Sequence, residues 1–288
     1  MGNDLKGRKR LPHWMRMQMP GGKQYMQVKE VVERNKLHTI CTSGNCPNIG
    51  ECWAEGTATF MILGDTCTRS CMFCAVHTGR PLPPDPDEPQ RLVSSIRKMN
   101  IKHAVITSVD RDDLDDKGAG FWAKTIRVLK TELPELTMET LIPDMDGRPE
   151  LISQVLEAKP EVISHNLETV RRLTPQIRTR AKYETSLDVI GQISESGLIS
   201  KSGIMLGLGE TEAEILETMD DLLRVKCEIM TIGQYLQPTL DHLPVEEYVA
   251  PEKFAEYKTI ALQKGFRHVE SSPLVRSSYH AEQQLRKQ

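Results

Sequence analysis

Six of the seven cysteines fall in two short runs, Cys41, Cys46 and Cys52, then Cys67, Cys71 and Cys74, with fourteen residues between the runs. The second run reads CTRSCMFC, a CxxxCxxC spacing that lets three thiolates converge from one loop onto one inorganic core. Three thiolates on a four-iron cluster leave one iron open for chemistry, whereas a purely electron-carrying cluster usually has four cysteine ligands. Zinc sites usually need four ligands, often as two CxxC pairs, and neither run supplies a pair of pairs. Zinc therefore stands behind iron–sulfur, although spacing alone does not separate them. Phe73, just before the last cysteine, is either a shield for a cluster or planar ligand or a core side chain. The seventh cysteine, Cys227, stands alone in DLLRVKCEIM and reads as a small buried hydrophobe.

A chain of 288 residues with 39% apolar content is long enough to bury a substantial core around such a site. The net charge of −3 and a pI near 6.3 give no global field that favours nucleic acid or an anionic membrane surface, so neither is an expected partner. The N-terminal segment lacks the continuous apolar stretch of a signal peptide, and no later segment approaches a membrane span. The expected location is cytoplasmic. In that reducing compartment, closely spaced cysteines point to metal or redox chemistry rather than to structural disulfides.

After Cys74 short apolar runs alternate with amphipathic stretches, the rhythm of repeated βα units. The candidate strands are 57–63, 104–108, 136–141, 162–166, 202–206 and 230–235. The clearest helix spans 211–225, with Ile215, Leu216, Met219, Leu222 and Leu223 on one face and a capping box from Thr211 to Glu214 at its start. Another, 251–264, begins with proline and is followed by Gly265. Six units are two short of a complete barrel. The expected fold is therefore α/β, an incomplete, laterally open (β/α)6 TIM-type barrel with N- and C-terminal extensions. Its expected parts are 1–55 with the first cysteines, 56–250 as the barrel, and 251–288 as a C-terminal helix and extension. Ligands gather at the C-terminal ends of barrel strands. CxxxCxxC, SVDRDD, HNLET and GLGE all follow strands at that end.

With Phe73 as the aromatic, CxxxCxΦC after the first barrel strand resembles the signature of the radical S-adenosylmethionine superfamily. The resemblance implies that the amino and carboxylate groups of S-adenosylmethionine chelate the open iron. An electron from the cluster then breaks the sulfonium C–S bond, giving a 5′-deoxyadenosyl radical that removes hydrogen from an unactivated C–H bond. CTSGNCPNIGEC upstream, a CxxxxCxxxxxC run, and the closing RSSYHA of 276–281 narrow this. Together the three motifs resemble the lipoyl synthase family over nearly the whole chain.

That resemblance implies insertion of two sulfur atoms, at C6 and C8 of an octanoyl group on a lysine of a lipoyl carrier domain. The carrier would be the H protein of glycine cleavage or a 2-oxoacid dehydrogenase acyltransferase subunit, and the electron donor a ferredoxin or flavodoxin. Two [4Fe–4S] clusters are implied: Cys67, Cys71 and Cys74 hold the radical-generating one, and Cys41, Cys46 and Cys52 hold an auxiliary one that supplies sulfur. The fourth auxiliary ligand is a serine of RSSY, assigned to Ser278 with Ser277 as the alternative. An oxygen ligand is harder than thiolate and leaves more readily when a cluster is dismantled. The competing readings are another radical sulfur-inserting or methylthiolating enzyme and a non-catalytic zinc-binding protein.

For S-adenosylmethionine itself, SGIMLGLGE at 202–210 resembles the superfamily's GxIxGxxE stretch through Gly203, Gly207 and Glu210, with Met205 where isoleucine is usual. Gly207 and Gly209 would let backbone approach the adenosine, or simply form a βα turn. Asn166 and Glu168 would bond the ribose or the ammonium, or cap a helix. Lys201 and Arg178 are candidate partners of the methionine carboxylate. The superfamily's GGE-like contact to the amine is absent, so Thr107 and Ser108 take that place by position alone; the Asp110–Asp113 run beside them reads as a solvated loop or a weak cation site. Met15, Met17, Met19 and Met26 read as adaptable apolar contacts of an N-terminal extension over the barrel mouth. Lys6, Arg8, Lys9, Arg10 and Arg16 are a patch that steers an acidic carrier or a solvated tail. His13, His38 and His165 have no ligand spacing.

Overall fold

The apolar runs become strands buried on both faces. In a computed structural model describing residues 10–17, 19–55, 57–279 and 281–282, helix α1 (Lys23–Arg34) leads to strand β1 (His38–Thr39) and helices α2 (Ile40–Ser43) and α3 (Ile49–Ala54). Next come β2 (Thr59–Ile62), the short strands β3 (Thr66–Cys67) and β4 (His77–Thr78), and α4 (Glu88–Met99). The series continues with β5 (His103–Ser108), α5 (Ala119–Glu132), β6 (Thr137–Leu141), α6 (Pro149–Leu156), β7 (Val162–Ser164), α7 (Thr174–Ile177) and α8 (Tyr183–Glu195). It ends with β8 (Ile199–Leu206), α9 (Glu212–Arg224), β9 (Ile229–Gln234), α10 (Pro251–Lys264) and β10 (His268–Ser271).

The main sheet runs β1-β2-β5-β6-β7-β8-β9-β10, and every pairing is parallel except β1 on β2. All residues of β2 and β9 are buried, as parallel strands covered by helices must be. The six βα units read from the sequence are present, and β10 adds a seventh parallel strand beside β9. α10 and β10 carry the parallel sheet past residue 250, to Ser271. β10 reads HVES, with one apolar residue, so no apolar run announces it.

Helix ends follow local chemistry. Thr211 Oγ1 accepts from the Glu214 amide at 3.4 Å, and the Thr211 amide donates to Glu214 Oε2 at 2.8 Å, which starts α9 as a capping box. α10 starts at Pro251 and stops at Gly265, whose φ of +121° suits glycine. The N-terminal extension is anchored by Met15, 1% exposed, and by the rings of Tyr25 and Trp53, 5.2 Å apart. Lys6, Arg8 and Lys9 lie outside the described residues; Arg10 and Arg16 are exposed at the edge of the cavity described next.

Candidate active site

The CxxxCxxC segment is a loop after β2, starting in β3, and the loops at the C-terminal ends of other strands hold it from several sides. Arg69, between the first two cysteines, is buried. It donates Nε to Asp112 Oδ2 at 2.8 Å, Nη2 to Asp112 Oδ1 at 3.0 Å, and Nη1 and Nη2 to Asp144 at 2.8 Å each. These forks tie the cysteine loop to the loops after β5 and β6. Burial works against the charge of Arg69, but these hydrogen bonds outweigh it and hold the guanidinium above its ordinary pKa. Burial pushes Asp110 up to about 6, with Arg69 opposing. From the other side, the Met72 amide donates to the Ile177 carbonyl at 2.9 Å, and His242 Nε2 lies 2.9 Å from the Cys74 carbonyl. The amides of Arg69 and Asp110 donate to Cys67 Sγ at 3.4 and 3.3 Å, bonds that stabilise a thiolate and tune a cluster held on it.

Burial pushes Cys67 up to about 11 and Cys71 to about 12, and raises Cys74 as well. The other run behaves alike, with burial pushing Cys41 up to about 11, Cys52 to about 12 and Cys46 above its ordinary value. Thiols raised by burial, with Arg276 near Cys46 and Arg178 near Cys71 the only cations opposing, suit ligands that give up protons only to a metal core. Mutual repulsion of Cys52 with Cys41 and Cys46 adds to its shift, so the three are neighbours. Cys41 lies on α2, Cys46 on the turn after it and Cys52 on α3. Among the described residues no three or more His, Cys, Asp or Glu side chains are grouped to hold one metal ion, a closeness that a polynuclear core does not require.

The C-terminal segment lies beside the first cysteine run. Asn48 Nδ2 donates to the Leu274 carbonyl at 2.7 Å, and Tyr279 donates to Glu51 Oε1 at 3.1 Å, so it is fastened to the first cysteine run. Arg276 is drawn below the usual arginine range by burial and held up by Cys46. Ser277 Oγ accepts from Asn166 Nδ2 at 2.7 Å, while the Ser278 hydroxyl makes no hydrogen bond among the described residues.

Five of the six cysteines, with Ser277 and Ser278, line one cavity of about 1910 Å³; Cys52, on α3, is not among its lining residues. Single-ligand pockets run to about 1,000 Å³, so this one has room for more than one group. Phe73, Thr107, Ser108, Asn166, Glu168 and Arg178 line it too. The Thr107 hydroxyl donates to the Leu141 carbonyl at 3.2 Å, and Ser108 Oγ accepts from Trp122 Nε1 at 3.1 Å. Glu168 sits at φ +68°, a conformation a side chain rarely adopts, clamped by backbone bonds of 2.9 Å to Gly203 and to Met205. Met15, Met17 and Met19 line the mouth, whereas Met26 is exposed outside it.

Two sequence candidates lie elsewhere. Lys201 is fully buried in the barrel interior, bonded to Glu139 at 2.8 Å, and does not line the cavity. Gly207 does not line it either: a Cβ there would meet Gln234 Nε2 at 2.2 Å and the Glu247 carbonyl at 2.3 Å, so the glycine serves the chain's own packing. His165 bonds the Ile142 carbonyl and Ser186, as a satisfied core histidine does. Asp110 and Asp112 are partners of Arg69 rather than a solvated loop. The sequence reading missed Arg69, Asp144 and Arg276; the only signal was an arginine inside CTRSCMFC and another opening RSSYHA.

The residues present fit iron–sulfur clusters and S-adenosylmethionine. Asn166 Oδ1 is buried on the cavity wall with no partner among the described residues, an acceptor open to a hydroxyl or ammonium donor. Arg178 is buried, bonded to Ser186 at 2.8 Å and to the Leu167 carbonyl, with no carboxylate in ion-pair range among the described residues, so its charge is available to an anion. The Trp53 indole N–H is buried without an oxygen or nitrogen acceptor, and it favours the Cys41 thiolate.

Residues 61–222 match the family model of the radical SAM superfamily, and residues 2–46 match that of the N-terminal domain of lipoyl synthase. A lipoyl synthase of Bacteroides fragilis is 61% identical over 286 residues, covering 99% of each chain. One of Treponema denticola is 59% identical over 276 residues, covering 96% of this chain and 95% of the other. Among solved structures, SuiB of Streptococcus suis bound to S-adenosylmethionine superposes with a TM-score of 0.60 at 11% identity, over 78% of this chain and 54% of that one. Methylornithine synthase gives 0.56 at 15% identity, over 72% and 61%. At such identities the likeness to the solved structures is one of fold.

Proposed function

The chain belongs to the lipoyl synthase family of radical S-adenosylmethionine enzymes, and on that premise we propose how its two cysteine sets divide one reaction. The enzyme takes S-adenosylmethionine and [4Fe–4S] clusters as cofactors and acts on octanoylated lipoyl domains, inserting sulfur at C6 and C8 of the octanoyl chain. Cys67, Cys71 and Cys74 would hold one cluster with an iron left open. Cys41, Cys46, Cys52 and Ser278 would hold the other. When bound, the first cluster with S-adenosylmethionine supplies the one-electron chemistry that removes hydrogen from unactivated carbon, and the second supplies sulfur.

The protein's own part is to bind, orient and keep water out. Arg178, held by Ser186 and the Leu167 carbonyl, receives the methionine carboxylate without having to break an ion pair first. Asn166 Oδ1 accepts from the ribose or the ammonium, and Glu168, fixed by two backbone bonds, presents its carboxylate beside it. Phe73 packs an apolar face against the cavity, and Thr107 and Ser108 keep acceptor or donor capacity at the end of β5. Arg69 keeps the cysteine loop in one geometry, which matters because a displacement of about 1 Å at reacting atoms costs about a hundredfold in rate. Met15, Met17 and the aliphatic rim shield the mouth and give an eight-carbon chain an apolar path inward.

One observation carries the reading: Cys41 and Cys46 of the first run, all three cysteines of the second and the serines of RSSY open on the same cavity. The carrier is a lipoyl domain of an H protein or of a 2-oxoacid dehydrogenase acyltransferase, and the electron comes from a ferredoxin or flavodoxin. No helix among the described residues is long and apolar enough to cross a membrane. Anaerobic incubation of reconstituted protein with S-adenosylmethionine, reductant and an octanoylated carrier peptide, read by mass analysis, tests it. The expected product is the lipoyl peptide with about eight irons bound per chain; zinc without sulfide, or an unchanged octanoyl peptide from fully loaded protein, would overturn it.

A further inference from the structure

Lys201 and Glu139 form an ion pair sealed inside the barrel, with side chains 0% and 1% exposed and Nζ to Oε2 at 2.8 Å. Such a pair needs its remaining hydrogen-bonding capacity filled. Glu139 Oε1 accepts from Ser164 Oγ at 2.6 Å, which places the three residues on the neighbouring strands β6, β7 and β8. The second bond of Lys201 leaves the barrel wall altogether: Nζ donates to the backbone carbonyl of Ser277 at 2.5 Å. Asn166 grips the same residue through its hydroxyl, at 2.7 Å. Ser277, immediately before Ser278, is therefore fixed at its carbonyl and its hydroxyl by the barrel interior, and the Ser278 hydroxyl has no hydrogen bond of its own among the described residues.

We propose that Lys201, braced by Glu139 and Ser164, is a positioning residue for Ser278. With Asn166 it fixes the Ser277 peptide, so that the Ser278 oxygen is presented to the Cys41, Cys46 and Cys52 site. The inference rests on the reading of Ser278 as the fourth ligand of that site. It gives the buried charge a purpose that burial alone would not select, since an apolar pair of similar volume would stabilise the core at least as well. It also makes one strut, rooted in β6, β7 and β8, common to the barrel and to the auxiliary site. Replacing a group that orients a metal ligand weakens metal retention by about ten- to a hundredfold.

The test compares Ser278→Ala with the double variant Lys201→Met, Glu139→Gln, which leaves no unpaired buried charge and keeps an acceptor for Ser164. Each is reconstituted with iron and sulfide, then read by chelator-driven iron release, by the Mössbauer signature of the auxiliary cluster, and by S-adenosylmethionine cleavage. The expected result is that the double variant releases auxiliary iron about tenfold faster, with the altered signature of Ser278→Ala, while cleavage at the other cluster persists. Wild-type release from the double variant, with fast release from Ser278→Ala, overturns the positioning role. Wild-type release from Ser278→Ala itself overturns the inference through the ligand reading beneath it. Ser277→Ala, which removes only the hydroxyl held by Asn166 and keeps the ion pair, serves if the double variant does not fold. It should release iron faster than wild type, and unchanged release overturns the proposal.

Discussion

Replacing Arg69 with alanine removes the guanidinium that bonds two buried carboxylates, Asp112 and Asp144, with side chains 7% and 3% exposed; Asp112 keeps only the longer ion-pair contacts of Arg180 at 3.6 Å and Lys117 at 4.0 Å. Four hydrogen bonds of 2.8 to 3.0 Å go with it. Breaking one side of a buried, hydrogen-bonded charge pair costs about 3–5 kcal/mol, against less than about 1 kcal/mol for an exposed pair. Burial pushes Asp144 up, but the hydrogen bonds and charge of Arg69 outweigh it and hold the carboxyl below its usual range; without Arg69 the penalty is opposed mainly by the Asp146 amide, which donates to Asp144 Oδ1 at 3.1 Å. Arg69→Ala should therefore lose about 3–5 kcal/mol, read as a lower midpoint at unchanged slope in anaerobic urea unfolding of the iron-free chain. Arg69→Lys should recover only part, because an ammonium cannot make two planar forks. The triple variant Arg69→Met, Asp112→Asn, Asp144→Asn should recover much of it, since it neutralises the two most buried partners and leaves only Asp110 and the part-exposed Asp146 without the guanidinium. A loss below about 1 kcal/mol for Arg69→Ala would refute the clamp, because that is the scale of a solvated pair.

His165 is a buried neutral histidine, its pKa pulled from 6.5 to about 4 by burial and by the charge of Arg178. The unfolded chain takes up a proton in that window and the folded chain does not, so stability is full above pH 6.5 and falls by about 3 kcal/mol towards pH 4. His165→Gln should flatten that acid limb in urea titrations across the window, and an unchanged limb would count against this origin. Gly233→Ala places a Cβ 2.2 Å from the Val275 carbonyl, so it should cost about 1–3 kcal/mol. Because the segment so displaced carries Arg276 to Ser278, iron retention at the auxiliary site should fall before that at the other; equal loss at both would contradict it. Cys227, 2% exposed with its thiol near the Ile229 carbonyl at 3.4 Å, is a packing residue. Cys227→Ala should keep the full iron content and lose about 1 kcal/mol, and missing iron would show otherwise.

The parts of this molecule set by local chemistry were legible in its sequence. The cysteine spacing, the capping box at Thr211, the proline start of α10 and six apolar runs each depend on residues within a few positions of one another. β10 was missed because HVES carries no apolar run and is a strand only through pairing with β9. Lys201 looked like a cation for a ligand because type and position suggest it, but its register on β8 directs it to Glu139, two strands away. Arg69 was passed over for the opposite reason: its partners are 43 and 75 residues along the chain. Long-range pairing of charges leaves no periodic trace, and it is the feature that most shapes this cavity.

The division of labour between the two cysteine sets is tested by comparing Cys46→Ala with Cys71→Ala in one anaerobic assay that measures both S-adenosylmethionine cleavage and lipoyl product. Cys46→Ala should still cleave S-adenosylmethionine while yielding no lipoyl group, and Cys71→Ala should do neither. Equal loss of cleavage in both variants, or lipoyl product from Cys46→Ala, would contradict it.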